Sequence, residues 1–167
     1  TYQRRAAEGR DLFTRFIEIA VELGARALTW HGLAAHIDDP DAIARFIDSA
    51  RELGEQARTA GVTLTVENVS WCYVRRADHI QYLRDLDLPI GFTFDPFQAA
   101  EAGQDPVPLI HAMGEQLTTV HLSDYGMGPS RHLPVGQGSI EWNRLFQALS
   151  YVHYAGPLII ESPYRGN

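Results

Sequence analysis

Five short apolar segments recur along this chain, and a stretch of helical periodicity separates each from the next. They run over residues 26–30, 62–66, 90–94, 117–120 and 157–160. A connection that contains a helix carries the chain back to the starting edge of a sheet, so successive strands must be parallel. No alternation of apolar and polar residues is evident in the segments, which predicts a sheet covered on both faces. The 3.6-residue period predicts helices over 9–23, 40–60, 77–86, 107–114 and 140–153. In the first, Leu12, Phe13, Phe16, Ile19, Ala20 and Leu23 form the expected buried stripe, and Gly24 ends it. In the second, Pro40 and Asp41 suit the first turn, with Ile43, Phe46, Ile47, Ala50 and Leu53 facing the core.

Five parallel strands form either an open doubly wound sheet or part of a (β/α) barrel, which closes with eight. The sequence starts within a helical pattern without an initiating Met, and it stops just after a strand. Those ends favour the second reading, a single TIM-barrel domain over residues 1–167 that is truncated at both ends.

Each predicted strand runs into an ionisable residue: His31, Glu67, Asp95, His121 and Glu161. In a parallel β/α fold all C-terminal strand ends lie on one face, where active sites are built. Three carboxylates and two imidazoles gathered there would repel and perturb one another, and a divalent cation relieves that. Oxygen and nitrogen donors without a thiolate suit Mn²⁺, Mg²⁺, Co²⁺ or Zn²⁺. Any one of these residues has a plainer reading. An Asp before a proline, such as Asp95, is commonly a helix N-cap, and a lone His31 is commonly a satisfied polar side chain. The metal reading rests on all five sharing one structural position.

Composition narrows the partners. The balance of 14 basic and 21 acidic residues gives a net charge of −7, against the basic excess of a nucleic-acid binder. No apolar run approaches a membrane span. The lone Cys72 cannot form an internal disulfide, which fits a reducing compartment such as the cytoplasm. A homo-oligomer is compatible with the sequence.

Other features stay open. Gly136 and Gly138 in the loop 131–138 permit tight turning, but this Gly-x-Gly is not placed as a dinucleotide fingerprint. Asp124, close to His121, either orients a ligand, contacts substrate or caps its loop. Trp71, Cys72 and Tyr73 either wall a pocket or pack under a loop. Arg75 and Arg76 suit an anion or a solvated helix start, and His36, His79, His111 and His153 carry no assigned role.

The ordered set VTLTVENV (62–69), GFTFDP (91–96), TVHLSD (119–124), RHLPVGQGSIEW (131–142) and PLIIES (157–162) resembles the xylose isomerase-like TIM-barrel superfamily. The chain is most similar to its sugar phosphate isomerase/epimerase branch. The resemblance implies that Glu67, Asp95, His121 and Glu161 hold one divalent metal ion. It implies that the strands present are the third to the seventh of eight. His31 and His132 match additional metal ligands of the apurinic-site endonucleases in the same superfamily. Gln98 stands where many relatives have a histidine, and Ser130 where the nuclease pattern has an aspartate. Those departures undercut a three-zinc nuclease site and leave the single-metal set whole.

What the resemblance implies is isomerisation or epimerisation of a small sugar or related hydroxycarbonyl compound through an enediolate. Glu67 and Glu161 are then the proton-transfer pair, and Asp95 and His121 mainly ligands. His31, Gln98, Asp124 and His132 are the candidate substrate contacts. A metal-dependent phosphodiesterase acting on damaged DNA is the first rival. A non-catalytic sugar-binding barrel is the second, and it has no need of the full ligand set.

Overall fold

The computed structural model describes residues 2–35, 41–126 and 132–162, with side chains described from residue 8 onward. Pro40, His36, Ser130 and Arg131 lie outside the described residues. The elements run α1 (Tyr2–Glu22), β1 (Ala27–Trp30), α2 (Ala42–Thr59), β2 (Thr63–Glu67), α3 (Ala77–Asp85) and β3 (Gly91–Phe94). They continue with α4 (Pro96–Glu101), α5 (Pro106–Met113), β4 (Leu117–Leu122), β5 (Asp124–Tyr125), β6 (His132–Leu133), α6 (Trp142–Tyr151) and β7 (Leu158–Ile160).

The five predicted strands form one sheet in the order β1-β2-β3-β4-β7, every pair parallel. There is no switch point in that order, so it is the barrel succession and not the doubly wound one. β2 and β4 are not hydrogen-bonded, yet their residues approach each other, as a curled sheet requires. A register shift between Phe92 and Thr93 loosens the β3–β4 ladder. Gly91 stands beside it, where a Cβ would collide with the Thr118 hydroxyl.

The central strands β2, β3 and β4 are buried on both faces, whereas β1 is partly buried and β7 exposed, and the central strands do alternate. Leu64, Val66, Phe92, Phe94 and Val120 join the helices' Phe46, Ala50, Leu53, Ile80, Leu83 and Leu109 in the core. Truncating Phe92 or Phe94 to Ala would cost about 3–5 kcal/mol. The opposite face carries Thr65, Thr93 and Thr119, equally buried. Threonine is as β-favouring as valine, so this alternation is masked when residues are read only for strand propensity.

Two other expectations are corrected. On α1 the buried contacts are Ile17 and Ala20, with Phe13 half-buried, whereas Leu12, Phe16, Ile19 and Leu23 are exposed. Apolar residues fall on more than one face of that helix, so its pattern does not single out the packed face. The stretch after β4, read as a plain loop, contains the antiparallel pair β5–β6. A short helix, α4, also follows β3 directly; Asp95 is its N-cap and Pro96 its first residue.

Candidate metal and active site

The period of two along a strand puts residues 29 and 31, 65 and 67, 93 and 95, and 119 and 121 on one face. That face ends in the ionisable residues. Glu67 closes β2, Asp95 follows β3, His121 lies in the last part of β4, and Glu161 follows β7. Glu67, Asp95, His121 and Glu161 each offer a ligand atom, and those atoms lie within 4.8 Å of one another. The first three are buried; Glu161 retains 40 % of its side-chain exposure.

The hydrogen bonds show how these charges coexist. One Glu67 oxygen accepts from His121 Nδ1 at 3.1 Å, and the other faces His31 Nε2 at 3.2 Å. The same His121 nitrogen lies 3.3 Å from Glu161 Oε1. Burial raises the Glu67 carboxyl, but hydrogen bonds from His121 and His31 outweigh it and hold it at about 2. Burial disfavours charge on His121, yet its bonds to Glu161 and Glu67 push it to about 10. His31 is also raised, chiefly by its bond to Glu67. Burial pushes Asp95 up to about 7, although the Gln98 amide favours its charged form. The Glu67 and Glu161 charges add to that rise. Three carboxylates therefore draw positive charge into the cluster, from protons on His121 and Asp95. A divalent ion would supply the same charge from one point. Converging oxygen and nitrogen donors, none a thiolate, fit such an ion.

Asn68 was not singled out from the sequence. Its buried amide donates to the Asp95 carbonyl at 2.9 Å and accepts from the Asp95 amide at 2.7 Å. Those two bonds prolong the β2–β3 ladder by one step and fix the backbone from which the Asp95 carboxylate projects. Gln98 gives its backbone N–H to Asp95 Oδ1, while its side-chain oxygen accepts from the Ser70 amide.

The remaining predicted contacts are distributed around the cluster. His31 is half-exposed at the rim, edge-on to the exposed Trp71. The loops after β1 and β2 are joined there, by Ala35 N–H to Trp71 O and Tyr73 N–H to Leu33 O. Cys72 is fully buried beneath the loop and Tyr73 partly so, whereas Trp71 is exposed. His132 stacks on Phe97 with centroids 3.8 Å apart and shares a hydrogen bond with Ser123 Oγ. Asp124 is fully buried and outside the cluster. Its two oxygens accept from the amides of Tyr125, Gly136 and Ile140 and from the Trp142 indole. Of the readings left open for it, this geometry matches loop capping. A Cβ at Gly138 would strike Asp124 Oδ1 and the Tyr125 carbonyl, so that loop requires glycine there.

Residues 2–167 match the profile of the xylose isomerase-like TIM barrels. The chain belongs to that family. L-ribulose-5-phosphate 3-epimerase UlaE of Escherichia coli O157:H7 is 25 % identical to it over 159 residues, covering 93 % of this chain and 56 % of that protein. The chain thus spans little more than half the length of such xylose isomerase-like relatives. Among solved structures, an L-ribulose 3-epimerase superposes with a TM-score of 0.80 at 24 % identity, over 96 % of this chain and 56 % of that one. The IolI protein with a binding zinc atom superposes with a TM-score of 0.83 at 19 % identity, over 97 % and 63 %. These superpositions establish the barrel fold. Among the described residues, no helix is long and apolar enough to cross a membrane.

Proposed function

We propose that this chain is the metal-binding part of an isomerase or epimerase acting on a small sugar or related hydroxycarbonyl compound. The observation that carries the reading is the convergence of Glu67, Asp95, His121 and Glu161 from four strands to within 4.8 Å. The epimerase relatives support the reaction class, and the zinc of the IolI protein supports metal binding. Mn²⁺, Mg²⁺, Co²⁺ and Zn²⁺ all suit the donor set.

When bound, the ion would supply a Lewis acid for the carbonyl oxygen of the substrate. The residues supply the rest. Glu67 and Glu161 approach His121 from different strands, so they flank the space above it. In this reading one takes the proton from the carbon beside the carbonyl and the other returns one. Asp95, fixed by Asn68 and the Gln98 amide, keeps its second oxygen for the ion. In this reading His31, with a half-exposed ring, and His132 contact substrate hydroxyls. Gln98 and Asp124 would act by holding the loops that frame them.

Titration calorimetry with Mn²⁺ and Zn²⁺ on the chain, followed by assays on a panel of ketoses, tests this. One tight equivalent is expected, lost in Asp95→Asn. Two or more would favour the nuclease-like alternative, and none would overturn the metal reading.

A further inference from the structure

A layer of threonine hydroxyls lies directly beneath the ionisable cluster. Thr29, Thr65, Thr93 and Thr119 stand two residues before His31, Glu67, Asp95 and His121, on four adjacent strands and on the same face. Thr93 is the hub. Its hydroxyl shares hydrogen bonds with Thr65 at 2.7 Å, Thr119 at 2.7 Å and Thr29 at 3.1 Å. Thr65 also reaches Thr29 Oγ1 and the Leu28 carbonyl, both at 3.3 Å. Across the sheet Thr93 pairs in register with Glu67 on one side and Thr119 on the other.

Valine has almost the same shape and would fill this layer without hydroxyls to satisfy. Burying hydroxyl groups is unfavourable unless each finds a partner, and a network only partly satisfied is worse than an apolar one. Here no buried side-chain polar atom among the described residues lacks a partner. What hydroxyls provide and methyl groups do not is direction: packed valines tolerate small relative slides, whereas a chain of 2.7 Å bonds fixes spacing. The β3–β4 ladder needs that most, since its register shifts between Phe92 and Thr93.

We infer that Thr65, Thr93 and Thr119 form a positioning layer that sets the spacing of the strand ends and so the convergence of Glu67, Asp95 and His121. It rests on the proposed metal reading for one arm of its test. In the full chain, Thr93→Val and Thr93→Ser are compared with wild type. The Val variant should keep its circular dichroism and melt within a few degrees of wild type. Its Mn²⁺ affinity should fall by about tenfold, a change of about 1.4 kcal/mol. Its Co²⁺ absorption spectrum, which reports ligand geometry, should shift, and Thr93→Ser should restore both. Wild-type affinity and spectrum in Thr93→Val overturn the inference, as does a Ser variant no better than Val, which would make the role one of packing. If Thr93→Val does not fold, Thr119→Val is read by the same criteria. If wild type binds no ion, the metal reading fails alone. The layer is then judged by amide hydrogen exchange at Glu67, Asp95 and His121: at least tenfold faster in Thr93→Val sustains it, and unchanged overturns it.

Discussion

Glu67 and Glu161 are the same residue type at the same end of parallel strands, yet their settings differ. Glu67 ends β2, an interior strand, and is 4 % exposed, with both oxygens facing histidines. Glu161 follows β7, whose Leu158, Ile159 and Ile160 are all exposed, and it keeps 40 % of its own side-chain surface. A buried carboxylate held by two donors keeps its charge and its place. A half-solvated one adjusts to its partner at small cost. β7 is the edge strand of this sheet, so the exposure of Glu161 belongs to that edge, whereas Glu67 is flanked by a paired strand on each side.

The largest effect that could break this contrast is on turnover. On the proposed reading, Glu67→Gln should reduce ketose turnover by about 10²–10⁴-fold, the value of general acid–base help, with a smaller loss of Mn²⁺ affinity. Glu161→Gln should impair rate to a comparable degree while disturbing the metal-free fold less. Steady-state rates and melting curves on both variants check this; a Glu67→Gln enzyme with near-normal rates and metal bound would move proton transfer elsewhere.

Acidity sharpens the same comparison at the level of binding. Asp95 is raised to about 7 and His121 to about 10, so both carry protons in the metal-free protein at neutral pH or below. An ion must displace them. Mn²⁺ affinity should therefore climb as pH rises towards 7, and calorimetry in buffers of different ionisation enthalpy should show proton release. The stability of the metal-free protein has the opposite sign for Asp95. A raised folded pKa gives stabilisation that is full below the ordinary value near 3.8 and is lost as pH rises through about 7. Glu67, lowered to about 2, gives stability that is present above its ordinary 4.5 and lost as pH falls through 2. Urea titrations from about pH 2 to about pH 8, with and without Mn²⁺, should separate the two.

Smaller effects mark the periphery. Asp124→Asn keeps the shape but weakens four donated bonds, and should cost about 1.5–3 kcal/mol with Mn²⁺ affinity nearly unchanged. Smallest of all, Leu23→Ala, exposed just past the end of α1, should stay within about 0.5 kcal/mol. Ile17→Ala, on the buried side of the same helix, should cost about 2–5 kcal/mol. Denaturant midpoints measure all three.

The strands were legible because each carries a concentrated β-favouring run bounded by turn residues, and all five appear within a residue or two of expectation. The convergence of Glu67, Asp95, His121 and Glu161 was legible because parallel connection leaves their strand ends no other face. The face of α1 was not, because eight apolar residues between 9 and 23 spread over overlapping stripes and only tertiary contact chooses between them. Asn68 was hidden because its role is carried by an amide bonding backbone, which leaves no periodic trace. The threonine layer did leave one, a Thr two places before four of the five strand-end residues. It is read only once threonine is counted as polar in a strand.

The joined loops after β1 and β2 have a consequence for building chimaeras of such barrels. Leu33 to Ala35 and Trp71 to Tyr73 pair antiparallel to each other, through Ala35–Trp71 and Leu33–Tyr73 bonds and an Ala34–Cys72 bridge. Rim residues His31 and Trp71 thus belong to one graftable unit even though 40 positions of sequence separate them. Exchanging either loop alone with a homologue of different length would strand the other's backbone donors in solvent. Transplanted together, the two should carry their rim into a new barrel intact.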